Sequence, residues 1–175
     1  MAFNDVSPRD KSVNDESARD KPVKDKPVKD KLEIDALVKA FFQVFDNRGG
    51  KRPAFDQLHQ LFISEALVIK NVGDRPEIYT LTQFIAPREV LLTNGELLDF
   101  FEQELAERTD IFGKIAQRFC VYQKSGMQQG QAFQAKGMKT MQFIKTPGGW
   151  KIAAVAWDDE RPGLMIASDL MRLDQ

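Results

Sequence analysis

The sequence predicts an α+β fold, in which helices near the N-terminus pack on one face of an antiparallel sheet. A phenylalanine-rich amphipathic stretch lies early in the chain, at 32–46. Runs rich in β-branched and aromatic residues dominate the second half, and the turn dipeptide Pro147-Gly148 joins the last two of them. Helices first and hairpin-linked strands afterwards are typical of this fold class.

Composition limits the classes of function. The chain has 175 residues, enough for one domain with a core, and its net charge of −1 gives no basic field for nucleic acid. It has no apolar run of about 18 residues, and its polar N-terminus lacks the apolar segment of a secretory signal. We therefore expect a cytoplasmic protein with neither a nucleic-acid nor a membrane partner.

Neither a cofactor nor a metal is expected. The chain has one cysteine, Cys120, and one histidine, His59, so the Cys/His spacings of zinc sites cannot form. The glycine-rich phosphate and dinucleotide loops, the zinc-protease motif and the nucleophile elbow are absent from the sequence. Cys120 lies in a strand-like run, where a small core residue is the simpler interpretation and a reactive thiol the alternative.

Residues 1–31 differ in composition from the rest of the chain. Aspartate recurs every five residues from Asp5 to Asp30, and the clearest units, Asp-Lys-Pro-Val-Lys, begin at Asp20 and Asp25. A period of five fits neither helix nor strand, and the prolines oppose both. Because few apolar side chains offset the entropy of ordering, we predict a disordered low-complexity tail, with a binding tail as the alternative.

The first predicted helix spans 32–46, because its apolar residues between 34 and 45 follow the i, i+3, i+4, i+7 spacing of a buried stripe. The glycine pair within 47–50 ends it. A shorter helix follows, with Pro53 near its first turn. His59 borders the apolar face of this helix, so it is either a core-edge residue or a pocket residue.

Short elements follow in the middle of the chain. The stretches 66–72 and 79–81 are interpreted as strands on either side of a turn. Thr82 can cap a short helix, which Pro87 is expected to interrupt. The dipeptide Asn94-Gly95 marks the next turn.

The stretch 97–108 is ambiguous on physical grounds alone. Leu97, Phe101 and Leu105 are spaced by four among good helix formers, which favours a helix. The same stretch also alternates well enough for a strand. The following run, 115–123, alternates clearly and is predicted to be a strand.

The last two strands lie between Gly130 and Glu160, after a predicted loop at 125–130, and turn at Pro147-Gly148. If Thr146 pairs with Gly149, alternation assigns one set of side chains to a single face. That set is Lys139, Met141, Phe143, Trp150, Ile152, Ala154, Ala156 and Asp158. Val155 and Trp157 are then expected on the opposite face.

Three motifs resemble those of the nuclear transport factor 2-like superfamily, which includes ketosteroid isomerases and polyketide cyclases. They are the helix-then-strand passage at 58–68, the Phe-Gly-Lys-Ile-Ala strand start at 112–116 and the Gly-Trp-Lys-Ile run at 149–152. With the phenylalanine-rich first helix, they occur in the order and spacing of that superfamily. The resemblance covers 32–160 and leaves 161–175 as a C-terminal extension.

The resemblance implies a cone-shaped, cystatin-like fold. A curved antiparallel sheet would carry the N-terminal helices on its concave face and enclose a pocket there, and 97–108 would be a strand. Members often dimerise through the convex face, so a homodimer is expected, with Trp157 and Val155 as candidate interface residues. Ala154 and Ala156 stand where related final strands often carry histidines.

Lys139 and Asp158 are the best polar pair for the expected pocket, because the predicted register makes them diagonal neighbours on the concave face. They are interpreted either as an anion-binding and proton-accepting pair or as a plain ion pair. Further candidates for the pocket are Tyr79, Arg118, His59, Tyr122 and Trp150. Arg88, in contrast, is interpreted as solvated surface with a rim position as the alternative.

Three functions remain open from the sequence. The first is binding of a small apolar or anionic molecule in the pocket. The second is a cofactor-independent isomerase, cyclase or dehydratase. The third is a dimeric interaction module whose pocket is filled by its own side chains. An acid–base pair inside an open cavity would separate the second from the first.

Overall fold

The computed structural model describes residues 26–170, so residues 1–25 of the tail predicted for 1–31, and residues 171–175 of the extension, lie outside the described residues. The helices are α1 (Lys26–Gln43), α2 (Leu58–Leu61) and α3 (Leu81–Thr93). The strands are β1 (Phe62–Lys70), β2 (Glu77–Thr80), β3 (Leu97–Phe112), β4 (Ile115–Gln128), β5 (Gln131–Thr146) and β6 (Gly149–Asp159).

The six strands form one curved sheet in the order β2-β1-β6-β5-β4-β3. Neighbouring strands are antiparallel except β1 and β6, which run parallel. Helices α1 and α3 pack on one face, which we call the concave face, and the opposite face is the convex face. The predicted fold class, with helices on one face of a curved sheet, is confirmed.

Helix α1 begins at Lys26 rather than at the predicted residue 32, and it ends at Gln43. The cause lies in tertiary contacts. Asp30 is buried, and its carboxylate accepts hydrogen bonds from the Lys145 ammonium and from the indole N–H of Trp150, the latter at 3.1 Å. Pro27 is tolerated because it lies in the first turn, where its missing N–H is not needed.

Helix α3 is longer than predicted. Its N-cap is Thr80 rather than Thr82, since the Thr80 side chain and that of Gln83 form a reciprocal capping box. Pro87 lies inside the helix and does not interrupt it. Phe84 is buried on its N-terminal side and Leu92 on its C-terminal side, so packing offsets the lost backbone hydrogen bond.

The stretch 97–108 is a strand, as the resemblance implied and against its helix propensity. It belongs to β3, which pairs with β4 over nearly its whole length. The loop predicted at 125–130 is wrong, because β4 continues to Gln128. The turn is confined to Gln129 and Gly130, whose φ angles of 51° and 76° suit a tight hairpin.

The hairpin of β5 and β6 contains a β-bulge that the sequence did not predict. Thr146 pairs with Gly149 and Phe143 with Ile152, as predicted, but Gln142 then pairs with Ala154, which makes Ala153 the extra residue. The pairs beyond the bulge are Met141 with Val155, Lys139 with Trp157 and Gly137 with Asp159.

A shift of one residue exchanges the two faces of a strand. Val155 and Trp157 therefore belong to the concave face, and their predicted place on the convex face is wrong. Ala154, Ala156 and Asp158 are correspondingly on the convex face, which corrects the predicted pocket face beyond Ile152.

Asn47, just after α1, fixes the connection between α3 and β3. It is buried, and its side-chain amide donates to the carbonyl oxygens of Leu92 (3.0 Å) and Leu97 (2.7 Å). Its side-chain oxygen accepts from the Phe100 N–H at 2.6 Å. These bonds hold the first residues of β3 beside the C-terminal end of α1.

Candidate functional site

A cavity of about 190 Å³ lies between α1, α3 and the concave face of the sheet. We call it the concave cavity. Its apolar lining consists of Phe41, Phe45, Val72, Phe84, Leu91, Leu92, Leu97, Phe100 and Trp157. Its polar lining consists of Lys70, Arg88, Glu102, Lys124, Lys139 and Asp159. A mostly apolar pocket with a few convergent charges is the usual form of a small-molecule site.

A continuous series of aromatic rings forms part of the wall. Phe41 and Phe45 of α1 meet edge to face at 5.5 Å between centroids, and Phe45 meets Phe84 of α3 at 6.0 Å. Phe84 in turn meets Trp157 of β6 at 6.0 Å. Such edge-to-face packing holds the rings in fixed orientations, so this wall is preformed.

Arg88 of α3 brings a positive charge to this wall. Its guanidinium lies 3.7 Å from the centre of the Phe84 ring and donates to the Phe84 carbonyl oxygen at 3.1 Å. Within residues 26–170 it forms no ion pair with a carboxylate. Burial lowers the pKa of Arg88 from 12.5 to about 10, so the side chain remains charged at neutral pH with unused donors.

Lys139 of β5 and Glu102 of β3 form a buried ion pair on the floor. The Lys139 ammonium lies 2.7 Å from Oε1 of Glu102, and the two side chains are 4% and 10% exposed. The ammonium also lies 3.5 Å from the centre of the Tyr122 ring, within cation–π distance. The second oxygen of Glu102, Oε2, accepts no hydrogen bond from a described residue.

Tyr122 and Asp159 form a second polar group beside the ion pair. The Tyr122 hydroxyl donates to Asp159, whose other oxygen lies 2.6 Å from the Lys124 ammonium. Burial, together with this hydrogen bond, raises the pKa of Tyr122 far above its ordinary value of 10.0. Tyr122 therefore holds its proton at neutral pH. Its ring fits closely over Gly137, where a Cβ atom would lie 2.5 Å from the hydroxyl oxygen.

Basic side chains also border the cavity on β1 and β4. Lys70 pairs with Glu77 at 2.8 Å, and Lys124 pairs with Asp159. Since both lysines have carboxylate partners, Arg88 is the cation of the lining whose charge no described carboxylate neutralises directly.

The predicted pocket residues are placed unevenly. Lys139 lines the concave cavity, and Tyr122 lies directly beneath it. Tyr79 lies outside the lining, in the edge strand β2, where its hydroxyl donates to Glu77. His59 is exposed on α2.

Three other predicted residues lie elsewhere. Asp158, on the convex face, pairs with Arg161 at 2.5 Å, so its predicted partnership with Lys139 is wrong because of the bulge. Trp150 is buried near the start of α1, where it donates to Asp30. Arg118 lies on the concave face but outside this cavity.

Arg118 belongs to a charge network that joins α1 to the sheet. Its guanidinium is 1% exposed and pairs with Asp35, with Glu104 at 3.0 Å and with Glu107 at 3.3 Å. Lys31 adds contacts at 2.7 Å to Asp35 and to Glu107. Because its partners already surround it, Arg118 fastens α1 to β3 and β4 rather than presenting a free charge.

Sequence reasoning missed most of the polar residues of the cavity, among them Glu102, Asp159 and Arg88. Glu102 lies in the stretch whose secondary structure was ambiguous, and Asp159 exchanged places with Asp158 at the bulge. Arg88 did carry a signal: it follows Phe84 by four residues and precedes Leu92 by four, which places it on the apolar stripe of α3.

Residues 26–170 contain neither a helix suited to span a membrane nor a cluster of metal-ligating side chains. None of the helices there combines the length and the hydropathy that crossing a bilayer requires. No group of three or more His, Cys, Asp or Glu side chains in that part of the chain is arranged to hold a metal ion.

Comparison with protein-family models gives no match, and a search of curated proteins gives no significant match. Solved structures do match. A nuclear transport factor 2-like superfamily protein from Salmonella enterica has a TM-score of 0.64 at 16% identity, over 77% of this chain and 94% of its own.

Two structures from Novosphingobium aromaticivorans also match. One is described as a nuclear transport factor 2-like protein with a cystatin-like fold; its TM-score is 0.59 at 15% identity, over 86% of this chain and 92% of its own. The other is described as a candidate aromatic ring hydroxylase; its TM-score is 0.58 at 18% identity, over 83% and 99%. The chain thus adopts the nuclear transport factor 2-like, cystatin-like fold.

Proposed function

We propose that this protein binds a small, largely apolar molecule with an anionic group in the concave cavity. The observation that carries the proposal is Arg88, a half-buried cation on an aromatic wall with no carboxylate partner among the described residues. A guanidinium is suited to bind a carboxylate through two parallel hydrogen bonds.

The energetics support a ligand with both characters. An anion would replace the water that Arg88 lost on burial, and a charge-assisted hydrogen bond contributes about 1.5–3 kcal/mol. The apolar lining adds about 25 cal/mol for each Å² of ligand surface removed from water. A purely apolar molecule would leave the guanidinium desolvated, and a small polar anion would gain nothing from the phenylalanines.

The test compares Arg88→Gln with the matched control Arg52→Gln, which removes an exposed arginine outside the cavity. Hexanoate and benzoate are titrated into each protein by calorimetry, with hexanol as the uncharged probe. We expect Arg88→Gln to weaken carboxylate binding by about tenfold or more, and to leave hexanol unchanged. Equal binding by both variants, or no binding to the wild type, would contradict the proposal.

A second candidate function is a cofactor-independent isomerase, cyclase or dehydratase. The observation that favours it is the free Oε2 of Glu102, an acceptor on the cavity floor. Tyr122 does not supply the matching acid, because its hydroxyl already donates to Asp159. Deuterium incorporation next to the carbonyl group of phenylpyruvate in D₂O, faster with protein than without, would support the enzyme.

We also propose that the protein forms a homodimer through the convex face. Ala154 and Ala156, which the bulge places on this face, lie there with other apolar side chains, namely Leu67, Ile69, Phe119 and Met138. An apolar patch of this kind can pair with its own copy across a two-fold axis.

Sedimentation equilibrium tests the dimer. The wild type should give twice the 19.9 kDa of one chain at micromolar concentration. Phe119→Asp should give the monomer, whereas Phe112→Asp, at the exposed end of β3 and away from the patch, should stay dimeric. A monomeric wild type would contradict the proposal.

A further inference from the structure

We propose that the concave cavity is selective for a single-ring aromatic carboxylate that also carries a hydroxyl or amino group. This inference rests on the binding function proposed above. It adds a size limit, a preference for a ring and a second recognition point, Glu102. Each of the three comes from a separate observation.

The volume sets the size limit. An engineered apolar cavity of about 150 Å³ binds benzene, whereas pockets for drug-sized molecules run from about 300 Å³ upward. The 190 Å³ of the concave cavity therefore suits one ring with two small substituents and is too small for fused ring systems.

The wall favours a ring over a chain. Phe45 and Phe84 meet edge to face, as do Phe84 and Trp157, so rings of different orientation line the space. A planar ring can continue this edge-to-face pattern, and aromatic pairs gain from such geometry beyond the area they bury. The leucines of the lining, at 91, 92 and 97, add apolar contact of no fixed geometry.

Glu102 supplies the second polar contact. Lys139 occupies its Oε1 at 2.7 Å, which fixes the carboxylate in place, while Oε2 has no partner in the described part of the chain. A carboxylate only accepts hydrogen bonds, so its ligand partner must be a donor. A ligand with no donor would cover Oε2 without replacing its water, which lowers affinity.

The two charged groups approach from different elements. Arg88 comes from α3 and Glu102 from β3, and the charge of Glu102 partly opposes the fall in the Arg88 pKa that burial causes. The Arg88 guanidinium donates hydrogen bonds, and the Glu102 carboxylate accepts them. The ligand therefore needs its carboxylate and its donor at separate positions on the ring, and a second carboxylate would be repelled by Glu102.

The test uses a ligand series on the wild-type chain. Calorimetry compares benzoate with its 3-hydroxy, 4-hydroxy, 3-methoxy and 3-carboxy derivatives. We expect one hydroxybenzoate to bind at least about tenfold more tightly than benzoate. The methoxy compound keeps the oxygen but loses the donor, so it should bind no better than benzoate, and the dicarboxylate should bind worst.

A paired variant tests the role of Glu102. The double substitution Glu102→Gln with Lys139→Met removes both charges together, so no buried charge is left alone. We expect the ratio of hydroxybenzoate affinity to benzoate affinity in this variant to shrink to about threefold or less. Glu89→Gln, on the exposed side of α3, is the control and should keep the full advantage.

The outcomes separate the two proposals. If the benzoates bind through Arg88 but the hydroxyl and methoxy compounds bind alike, the inference is overturned and the binding function stands. If no carboxylate binds the wild type, the binding function itself fails. Because the ligand series uses the wild-type chain, a double variant that does not fold leaves the inference fully testable.

Discussion

The buried ion pair between Lys139 and Glu102 gives the sharpest stability prediction. Lys139→Met keeps the length and apolar stem of the lysine but leaves the Glu102 carboxylate without its cation. Breaking a buried pair by removing one partner typically costs about 3–5 kcal/mol. We expect the lower end, about 3 kcal/mol, because Oε2 of Glu102 borders the cavity and water can reach it.

The substitution of Glu102 and the double substitution should lower stability less than Lys139→Met does. Glu102→Gln keeps an oxygen that can accept a hydrogen bond from Lys139, and the Tyr122 ring still lies 3.5 Å from the ammonium. We therefore expect this variant to lose about 1–2 kcal/mol of stability. The double variant removes both charges and should cost less than about 1 kcal/mol. The pair thus predicts a coupling energy of about 3 kcal/mol in a double-mutant cycle.

Urea unfolding at pH 7, followed by tryptophan fluorescence, measures all four proteins. With a slope of about 2 kcal/mol per molar urea for a domain of this size, Lys139→Met should lower the midpoint by about 1.5 M. Lys114→Met, at an exposed hairpin turn, is the control and should move it by less than about 0.3 M. If the stability losses of the two single variants simply add up in the double variant, the reasoning is refuted. Additivity would show that water already separates the two charges.

Two smaller changes test other parts of the fold. Gly137→Ala should lower Tm by about 5 °C, because the new methyl group would lie 2.5 Å from the Tyr122 hydroxyl, whereas Gly73→Ala, which meets no atom within 4 Å, should leave Tm nearly unchanged. Hydrogen bonds from Arg48 hold the pKa of Asp46 well below its ordinary 3.8. The ionised Asp46 carboxylate therefore stabilises the fold fully above about pH 3.8, its ordinary pKa. This stabilisation is lost as the pH falls through the lower pKa of the folded state. Asp46→Asn should lower Tm at pH 7, with the difference shrinking toward pH 2; a constant difference would contradict this.

The elements that could be predicted are those whose signals are local. The stripe of α1 and the turn at 147–148 depend on spacing and backbone preference, and both were placed correctly apart from the two ends of α1, of which the start shows the larger error. That start depends on Asp30, whose partners lie far away in β5 and β6. Such a contact leaves no local pattern in the sequence. The disordered tail was therefore predicted to run to residue 31, although α1 begins at Lys26.

The bulge at Ala153 shows why the site itself was only partly predictable. The run from Ala153 to Ala156 is apolar at every position, so alternation gives no indication of which residue is extra. An error of one residue there assigned Trp157 to the convex face, and it assigned Asp158 instead of Asp159 to the concave face. Lys139 was placed correctly because it lies on the strand that carries no extra residue.

Arg88 links stability to function in a way that a single variant can test. A half-buried cation without an ion pair destabilises the free protein, and its lowered pKa reflects the same loss of water. Arg88→Met fills the same space among Phe84 and Trp157 without a charge. We expect it to raise the stability of the free protein by about 1 kcal/mol, a few degrees in Tm, while it abolishes carboxylate binding. Stability gained together with binding lost would mean that the arginine serves a ligand at the expense of the fold. A loss of both would instead make Arg88 a structural residue, and the proposed function would lose its main support.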